Sequence, residues 1–333
     1  MKVSACIIAY NHEQYIKDCL EGALKQNVNF DYEIIVSEDC STDATRAICQ
    51  EYQKKYPDKI KLFLNQTNLG LIGNWLKALS LCQGEYVAIC EGDDYWTDPL
   101  KLKKQVDFLD SHPEFALSSH NAQVVKNGQI IREYCGQNHP EIMDLKYLLA
   151  HGSGGPTGSL VIRNSAIKNL PDWFSKMKAC DWTIQVMAAR GGQMKYFNDI
   201  MGVYRKHDKG ASFSAKMNAQ KSGNSDFALP SKYSLEMIDN LNKHFNYKYD
   251  KELKQQSTYW YNLYANEYLK IRDIKMAKGY AIKIFKIMFS TSYWRPSWLD
   301  KKQFVRLLAL LLLPTFLIKL LRCVSTVIKE PKC

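Results

Sequence analysis

Short apolar runs alternate with segments of helical periodicity along the first 90 residues of the chain. The apolar runs at Val3–Ala9, 33–37, Ile60–Leu64 and 86–90 predict buried strands. Between them, residues 14–25, 43–56 and 74–82 predict helices, the second opened by the capping candidates Ser41 and Thr42. Strands and helices that alternate at this spacing favour an α/β fold with a mainly parallel sheet flanked by helices.

The rest of the chain changes pattern twice. Residues 100–109 and 181–190 predict helices, and residues 115–125, Gln129–Glu133 and 159–162 predict extended segments. From about residue 215 the chain is polar, tyrosine-rich and helical, and residues 307–318 are apolar apart from one threonine, with lysine and arginine on both sides. We expect an α/β domain over residues 1–215, a helical region over 216–300 and a basic, apolar tail over 301–333.

The composition indicates a globular protein. Of the 333 residues, 46% are apolar and 24% are charged, which excludes a disordered or low-complexity chain. Ten cysteines without a CxxC pair or zinc-ligand spacing indicate thiols in a reducing compartment. The first apolar run is too short for a signal peptide, so we expect a cytoplasmic protein. The net charge of +11 suits nucleic acid, an anionic membrane or a phosphorylated ligand.

Polar side chains follow three of the predicted strands. Asn11 follows the first strand, Glu38 and Asp39 follow the second, and the acidic segment 91–94 (E-G-D-D) follows the fourth. Ligands of such sheets bind beyond the carboxyl ends of the strands. Carboxylates gathered there suit Mg²⁺ or Mn²⁺ bound with phosphates, and an exposed acidic turn is the alternative. The chain has neither a dinucleotide glycine fingerprint after its first strand nor a P-loop, so we expect a metal to hold a diphosphate.

Five segments in a fixed order carry a family resemblance. They are the first strand with its A-Y-N ending, residues 33–43 (EIIVSEDCSTD), residues 68–74, the G-E-Y at 84–86 and residues 91–96 (EGDDYW). Together they resemble the family 2 glycosyltransferases, over roughly residues 1–210. The resemblance implies a GT-A fold and an inverting, metal-dependent transfer of a sugar from a nucleotide diphosphate, usually a UDP-sugar, to an acceptor.

The resemblance also implies nucleotide contacts. Asp39 would hydrogen-bond the base, and Ala9, Tyr10 and Asn11 would line the same pocket. Glu91 would face the ribose, or reach the metal through water. Glu91 replaces the aspartate that is usual at this position, and its longer side chain affects the ribose contact most.

The same resemblance implies a metal site. Asp93 would bind Mn²⁺ or Mg²⁺ directly and bridge to the pyrophosphate, with Asp94 in support. Residues 204–207 (Y-R-K-H) resemble the Y-R-x-H segment of the family, in which His207 helps to hold the metal and diphosphate. Arg205 would belong to a cationic strip that contacts the departing diphosphate.

Asp181 is the expected catalytic base. An acceptor hydroxyl attacks the anomeric carbon in line, so a carboxylate must lie opposite the leaving group. The resemblance places this carboxylate at the start of a helix, where Asp181 stands, although Cys180 replaces the usual glutamate. A plain N-terminal helix cap is the alternative for Asp181. Glu38 and Cys40 are further departures from the usual Asp and Gly.

The sequence allows either a binding role or a structural role for two further features. The glycine-rich stretch 151–158 either lines the acceptor side or is a plain flexible loop. Trp96 and Trp182 either stack on sugar faces or belong to the core.

The tail predicts contact with a membrane. Residues 307–318 would form a helix of about 18 Å, against a hydrocarbon core of about 30 Å, so the segment better fits the headgroup region of an anionic leaflet. A core helix and a tilted span are the alternatives. We therefore expect a peripheral protein on the inner face of the plasma membrane that acts on a glycan or lipid-linked glycan acceptor and does not bind nucleic acid.

Two other functions compete with sugar transfer. A sugar-1-phosphate nucleotidyltransferase would need a glycine-rich, arginine-containing loop after the first strand, and residues 9–13 do not supply one. A non-catalytic, membrane-bound sugar-binding module would not need Asp181.

Overall fold

The structure, a computed structural model, describes residues 1–177, 180–207, 229–270, 273–290, 299 and 301–314. The chain divides into two compact units. The first takes in Met1–Leu148 and Gly152–Phe213, and the second takes in Leu149–His151 and Ser214–Cys333.

Strands and helices alternate from residue 3 to residue 91, as predicted, and residues 95–206 add further strands and helices in a less regular order. In chain order they are β1 (Val3–Ala9), α1 (Ile16–Leu24), β2 (Tyr32–Glu38), α2 (Thr45–Lys55), β3 (Ile60–Leu64), α3 (Gly70–Leu81), β4 (Tyr86–Glu91), β5 (Tyr95–Trp96), α4 (Lys101–Ser111), β6 (Phe115–Lys126), β7 (Gln129–Glu133), β8 (Ile142–Met143), α5 (Leu145–His151), β9 (Val161–Arg163), α6 (Asn164–Ile167), α7 (Asp181–Ala188) and β10 (Gln193–Lys206).

The strands form one sheet in the order β3-β2-β1-β4-β9-β6-β10-β5, with β7 beside β6 and β8 beside β10. The four strands β3, β2, β1 and β4 are parallel, as predicted, and β10 is parallel to β6. The other pairs are antiparallel, so the second half of the sheet is mixed. The β6–β7 pair shows why: Asn127 and Gly128, both at positive φ, close a two-residue hairpin, which can only join antiparallel strands.

The core explains the continuous apolar runs of the first strands. All seven residues of β1 are buried, as are all seven of β2, because the sheet is covered on both faces. Helix α1 presents Ile16, Leu20 and Ala23 to this core. The eight cysteines of the described residues are free, and all of them except Cys40 are buried.

Several boundaries differ from those expected. Helix α2 begins at Thr45 and is not capped by Ser41 or Thr42; instead, the Asp43 carboxylate accepts a hydrogen bond from the Thr45 N–H (2.9 Å). Helix α3 begins at Gly70, four residues before the predicted start. The strand predicted at residues 159–162 is observed as the short strand β9, and a 3₁₀ turn at Thr157–Ser159 precedes it.

The second unit is helical, as the sequence predicts. It contains α8 (Leu229–His244), α9 (Asp250–Lys270), α10 (Ile274–Ser290) and α11 (Lys301–Leu312). One apolar cluster joins the end of α9 to the inner faces of α10 and α11, including Leu269, Ala277, Ala281, Ile284, Leu307 and Leu310. Part of the apolar segment 307–318 forms the end of α11, and residues 315–318 lie outside the described residues. In the part of the chain that is described, none of the helices has the length and hydropathy that crossing a membrane requires.

Candidate active site

The carboxyl ends of β1, β2 and β4 lie side by side at one edge of the sheet. Strand β1 pairs in parallel with both neighbours, so that Ala9 lies opposite Glu38 and Ile8 lies opposite Glu91. The polar residues that follow these three strands therefore share one edge, where ligands of parallel sheets bind.

Asp39 lies just beyond β2 and is 2% exposed. Its backbone N–H donates to the Ala9 carbonyl at 2.9 Å. Its Oδ1 accepts hydrogen bonds from the Asn65 side-chain amide and from the Leu69 backbone N–H, both at 2.8 Å. Asn74 accepts a second bond from the Asn65 amide (3.1 Å) and so fixes its orientation. Because Oδ1 takes both bonds, Oδ2 is the oxygen that Asp39 can offer to a ligand.

Asn11 supports the loop that follows Asp39. It has φ = 55°, a left-handed conformation that asparagine tolerates. Its Oδ1 accepts a hydrogen bond from the Thr42 N–H (2.9 Å), and its own N–H donates to Ser41 Oγ (3.0 Å). The side chain of Asn11 is therefore engaged with protein, whereas the neighbouring Tyr10 is 42% exposed.

Glu38 has a structural role, for which its side chain must be longer than that of aspartate. Its buried carboxylate accepts hydrogen bonds from the Ser41 N–H at 2.6 Å and from Arg46 Nε at 2.5 Å. The bond to Arg46 ties the end of β2 to α2. The departure from aspartate at this position is thus explained by the distance the side chain spans.

Asp93 is brought together with His207, as expected, and with His12, which the sequence reasoning missed. Asp93 Oδ2 lies 3.0 Å from His207 Nε2 and 3.9 Å from His12 Nε2. Burial alone would raise the pKa of Asp93, but the hydrogen bond from His207 and the proximity of His12 hold it below its ordinary value. The burial of His12 lowers the pKa of its imidazole despite the nearby Asp93. The signal for His12 is its place directly after Asn11, at the end of β1.

Glu91 and Asp94 lie in a part of the same site where burial removes their carboxylates from water. Burial first, and then the nearby carboxylates, raise the pKa of Glu91 well above its ordinary value; burial and Asp93 do the same for Asp94. Glu91 Oε2 is buried and has no hydrogen-bond partner among the described residues. A Cβ at Gly158 would lie 3.5 Å from Glu91 Oε2 and from Asp94 Oδ2, so the end of the glycine-rich stretch borders these carboxylates.

Asp181 is the first residue of α7, and Cys180 holds the N-cap position. Its side chain is open to solvent, yet the walls of the site displace much of the surrounding water, and this desolvation raises the pKa of Asp181. The charge of Asp181 in turn contributes to the raised pKa of Glu91 and of Tyr204. Asp181 therefore belongs to the same electrostatic cluster as the acidic loop, which consists of residues 91–94.

Arg205 holds the acidic loop in place. Its backbone N–H donates to Asp94 Oδ1 (2.7 Å), and its guanidinium donates to the Asp93 carbonyl (2.9 Å) and to the Asp18 carboxylate on α1. The guanidinium lies 4.3 Å from the ring centroid of Tyr95 and 5.2 Å from that of Tyr15. Asp18, in α1, and Tyr15, just before α1, were not predicted, because both are far from Arg205 in the sequence.

The two tryptophans belong to the core. Trp96 and Trp182 are 4% and 6% exposed. The indole N–H of Trp96 donates to the Gly158 carbonyl and that of Trp182 to the Leu148 carbonyl, each at 2.7 Å. Of the two roles that the sequence left open, the geometry favours packing over sugar stacking.

The described residues form only part of a metal-binding site. Within the described ranges, no group of three His, Cys, Asp or Glu side chains is arranged to hold a metal ion. The nearest arrangement is Asp93 with His207.

Comparisons with known proteins identify the family of the chain. Residues 4–170 match the profile of glycosyl transferase family 2. The chain belongs to this family. An uncharacterized protein of Mycobacterium tuberculosis is 37% identical over 220 residues, which is 66% of this chain and 63% of that protein, so the chain spans less than two thirds of the length of such relatives.

Solved structures show the fold. A chain of residues 1–349 of TarS from Staphylococcus aureus, solved in complex with UDP-GlcNAc, superposes with a TM-score of 0.52 at 20% identity, over 85% of this chain and 84% of that one. A mannosyltransferase of Pyrobaculum calidifontis, in complex with GDP-Man and Mn²⁺, superposes with a TM-score of 0.54 at 15% identity, over 97% and 87% of the two chains. The first unit has the GT-A fold, as expected.

Proposed function

We propose that this glycosyltransferase moves a sugar from a nucleotide diphosphate, a UDP-sugar, to a glycan or lipid-linked glycan in the synthesis of a cell-surface polysaccharide. The observation that carries the proposal is the joining of Asp93, His207, Glu91 and Asp181 in one cluster at the strand-end edge of the sheet. The UDP-GlcNAc that TarS binds supports a UDP-sugar donor. We assign the transfer to residues 1–215, the helical region to 216–300 and membrane contact to 301–333, on the inner face of the plasma membrane.

The donor would enter from the Asp39 side. Oδ2 of Asp39 would accept a hydrogen bond from an N–H of the base, because Oδ1 is already held by Asn65 and Leu69. The backbone of Ala9 and Tyr10 would line this pocket beside Asn11. Glu91 would then face the ribose, with an oxygen that has no protein partner among the described residues.

A divalent cation fits the donor set at Asp93. The Asp93 carboxylate and the imidazole Nε2 of His207 meet at one point, and Asp94 is held directly beside them. Asp93 and His207 would hold Mn²⁺ or Mg²⁺, with Asp94 in support, and diphosphate oxygens would complete the coordination of the cation. The cation would neutralise charge on the leaving diphosphate. Arg205 keeps the loop that carries both aspartates in position.

Asp181 would act as the base. The acceptor hydroxyl oxygen attacks the anomeric carbon, the bond from that carbon to the diphosphate oxygen breaks, and the diphosphate leaves with the electron pair. The proton of the hydroxyl passes to an Asp181 carboxylate oxygen. The raised pKa of Asp181 makes it a stronger base than an ordinary aspartate. Attack on the side opposite the leaving group inverts the anomeric centre.

The test is transfer by the Asp181→Asn variant. Loss of the base should lower kcat at least about 100-fold while the affinity for UDP stays within about threefold. The control is Asp58→Asn, an exposed aspartate between α2 and β3, which should retain full activity. A panel of nucleotide sugars, with release of nucleoside diphosphate as the readout, identifies the donor. With a nucleoside triphosphate and a sugar 1-phosphate as the substrates, release of pyrophosphate would instead indicate a nucleotidyltransferase. Sugar binding without transfer, equal in the wild-type protein and in Asp181→Asn, would indicate a non-catalytic sugar-binding module.

A further inference from the structure

The positive charge of the chain is concentrated at one end of the sequence. Residues 274–333 contain 12 lysine and arginine residues but only two acidic residues, Asp300 and Glu330. This segment therefore holds +10 of the net charge of +11, and residues 1–273 are close to neutral. A distribution this uneven indicates a binding partner with a negative surface.

Helix α10 presents both charge and apolar surface to solvent. One face of the helix packs into the core of the second unit. The opposite face carries the exposed lysines Lys275 and Lys286 together with Met276, Ile282 and Phe289, which are 40%, 45% and 70% exposed. Exposed positions recur at intervals of three and four residues, so they form one stripe along the helix. No acidic residue occurs anywhere in α10.

An apolar groove continues this surface. It has a volume of about 550 Å³ and lies between α10 and α11 within the second unit. This is within the range of pockets that hold small ligands. Its walls are largely apolar, with one cation and one hydroxyl; the lining residues are Ile282, Phe285, Lys286, Phe289, Ser290 and Leu311.

We propose that this face of α10, together with the groove, binds the surface of a bilayer that contains anionic phospholipid. The lysines would contact lipid phosphates, and Ile282 and Phe289 would enter the boundary between headgroups and acyl chains. The groove would hold part of one acyl chain, with Lys286 placed to contact the phosphate of the same lipid. Nucleic acid fits less well, since large apolar side chains alternate with the lysines along the stripe. The proposal extends to α10 the membrane contact that the proposed function gives to residues 301–333, and it does not depend on sugar transfer.

The test is co-sedimentation of the full chain with lipid vesicles. The protein should bind vesicles of phosphatidylcholine with about 30% phosphatidylglycerol and should not bind phosphatidylcholine alone. The double variant Lys275→Glu/Lys286→Glu should weaken binding at least about 20-fold, since one lysine near such a surface contributes about fivefold. Ile282→Ser/Phe289→Ser should weaken it at least about fivefold through lost apolar burial.

The control is Lys54→Glu/Lys248→Glu, which makes the same change in net charge on exposed lysines of α2 and of the segment before α9. It should bind vesicles within about twofold of the wild-type protein. Circular dichroism and UDP binding verify folding, so that failed vesicle binding is separated from failed sugar transfer. Equal binding to both vesicle types, or an equal loss in the control, would overturn the proposal. Hydrogen exchange of residues 274–290 that is already slow, and that vesicles leave unchanged, would also overturn it, because another part of the chain would then cover the face.

Discussion

Lys101 is a lysine buried at the first position of α4, next to Trp96. Its Nζ has no hydrogen-bond partner among the described residues and lies 3.9 Å from the ring centroid of Trp96. Burial lowers the pKa of Lys101 from 10.5 to about 7. The positive end of the α4 dipole further disfavours a cation there. The contact with Trp96 offsets part of the cost of burying the amine.

We expect Lys101→Met to stabilise the protein, and more at pH 7 than at pH 9.5. Between pH 7 and 10.5 the unfolded chain binds more protons at this lysine than the folded chain, so the stability of the wild-type protein rises with pH in this window. The methionine variant lacks that slope. Its advantage in the free energy of unfolding should therefore be about 3 kcal/mol larger at pH 7. Urea unfolding at the two pH values measures the difference, with Lys103→Met on the exposed face of α4 as the control. An advantage that does not change with pH would contradict the pKa of about 7.

The raised pKa of Asp181 predicts how transfer depends on pH. The base must be deprotonated to accept a proton, so the rate should fall as the pH drops through its pKa, and this fall should occur above pH 3.8, the ordinary value for aspartate. Single-turnover rates from pH 4 to 8, with the enzyme in excess over the donor and with saturating acceptor, measure the transition. A rate that stays flat down to pH 4 would show that Asp181 is not the base.

At single positions, the sequence predicts best where partners are close along the chain. The strand-end residues Asp39, Glu91 and Asp93 could be picked out because each follows an apolar run. By contrast, Asp18 and Tyr15 hold Arg205 from about 190 residues away in the sequence, and no local pattern indicates that contact. Glu38 shows the same limit: it stands out as a departure from aspartate, but its reason, the bond to Arg46, requires the packing of α2.

Among the elements, β10 is the main one that the sequence did not predict. Its pairing with β6 shifts register between Phe197 and Ile200 and again before Gly202, so its side chains do not alternate regularly. Helix α3 was predicted too short at its start. A glycine such as Gly70 usually interrupts a helical pattern, whereas here its φ of 73° marks the turn into the helix. Regular buried strands such as β1 were predicted at their observed bounds.

The hydrogen bond between Glu38 and Arg46, which joins β2 to α2, leads to a prediction about these two elements. Glu38→Asp should lower the free energy of unfolding by about 2 kcal/mol, because the shorter carboxylate cannot reach both the Ser41 N–H and Arg46. Thermal or urea unfolding measures the loss. Glu51→Asp, which shortens an exposed carboxylate of α2, serves as the control. A variant at position 38 as stable as the wild-type protein would mean that the tie contributes nothing.

For the whole molecule, the uneven charge separates two kinds of binding by their dependence on salt. Membrane attraction by the segment 274–333 acts over about one Debye length, which shrinks from about 10 Å at 0.1 M salt to about 3 Å at 1 M. The site in the first unit is different, because Asp93 and His207 are partly buried and close to each other. Partly buried pairs such as Asp93 and His207 are screened much less by salt.

Raising NaCl from 50 to 500 mM should therefore release the protein from anionic vesicles, with a loss of binding of at least about tenfold, since exposed lysines supply most of the attraction. Over the same range, transfer to a water-soluble acceptor should change by no more than about twofold. Vesicle co-sedimentation and nucleotide release, measured on the same samples, give both values. If the two fell together, the lysines of α10 and the sugar-transfer site would depend on the same charges, and the separation drawn from the sequence would be wrong. If vesicle binding survived high salt in the wild-type protein but not in Ile282→Ser/Phe289→Ser, the apolar side chains would be the stronger part of the contact.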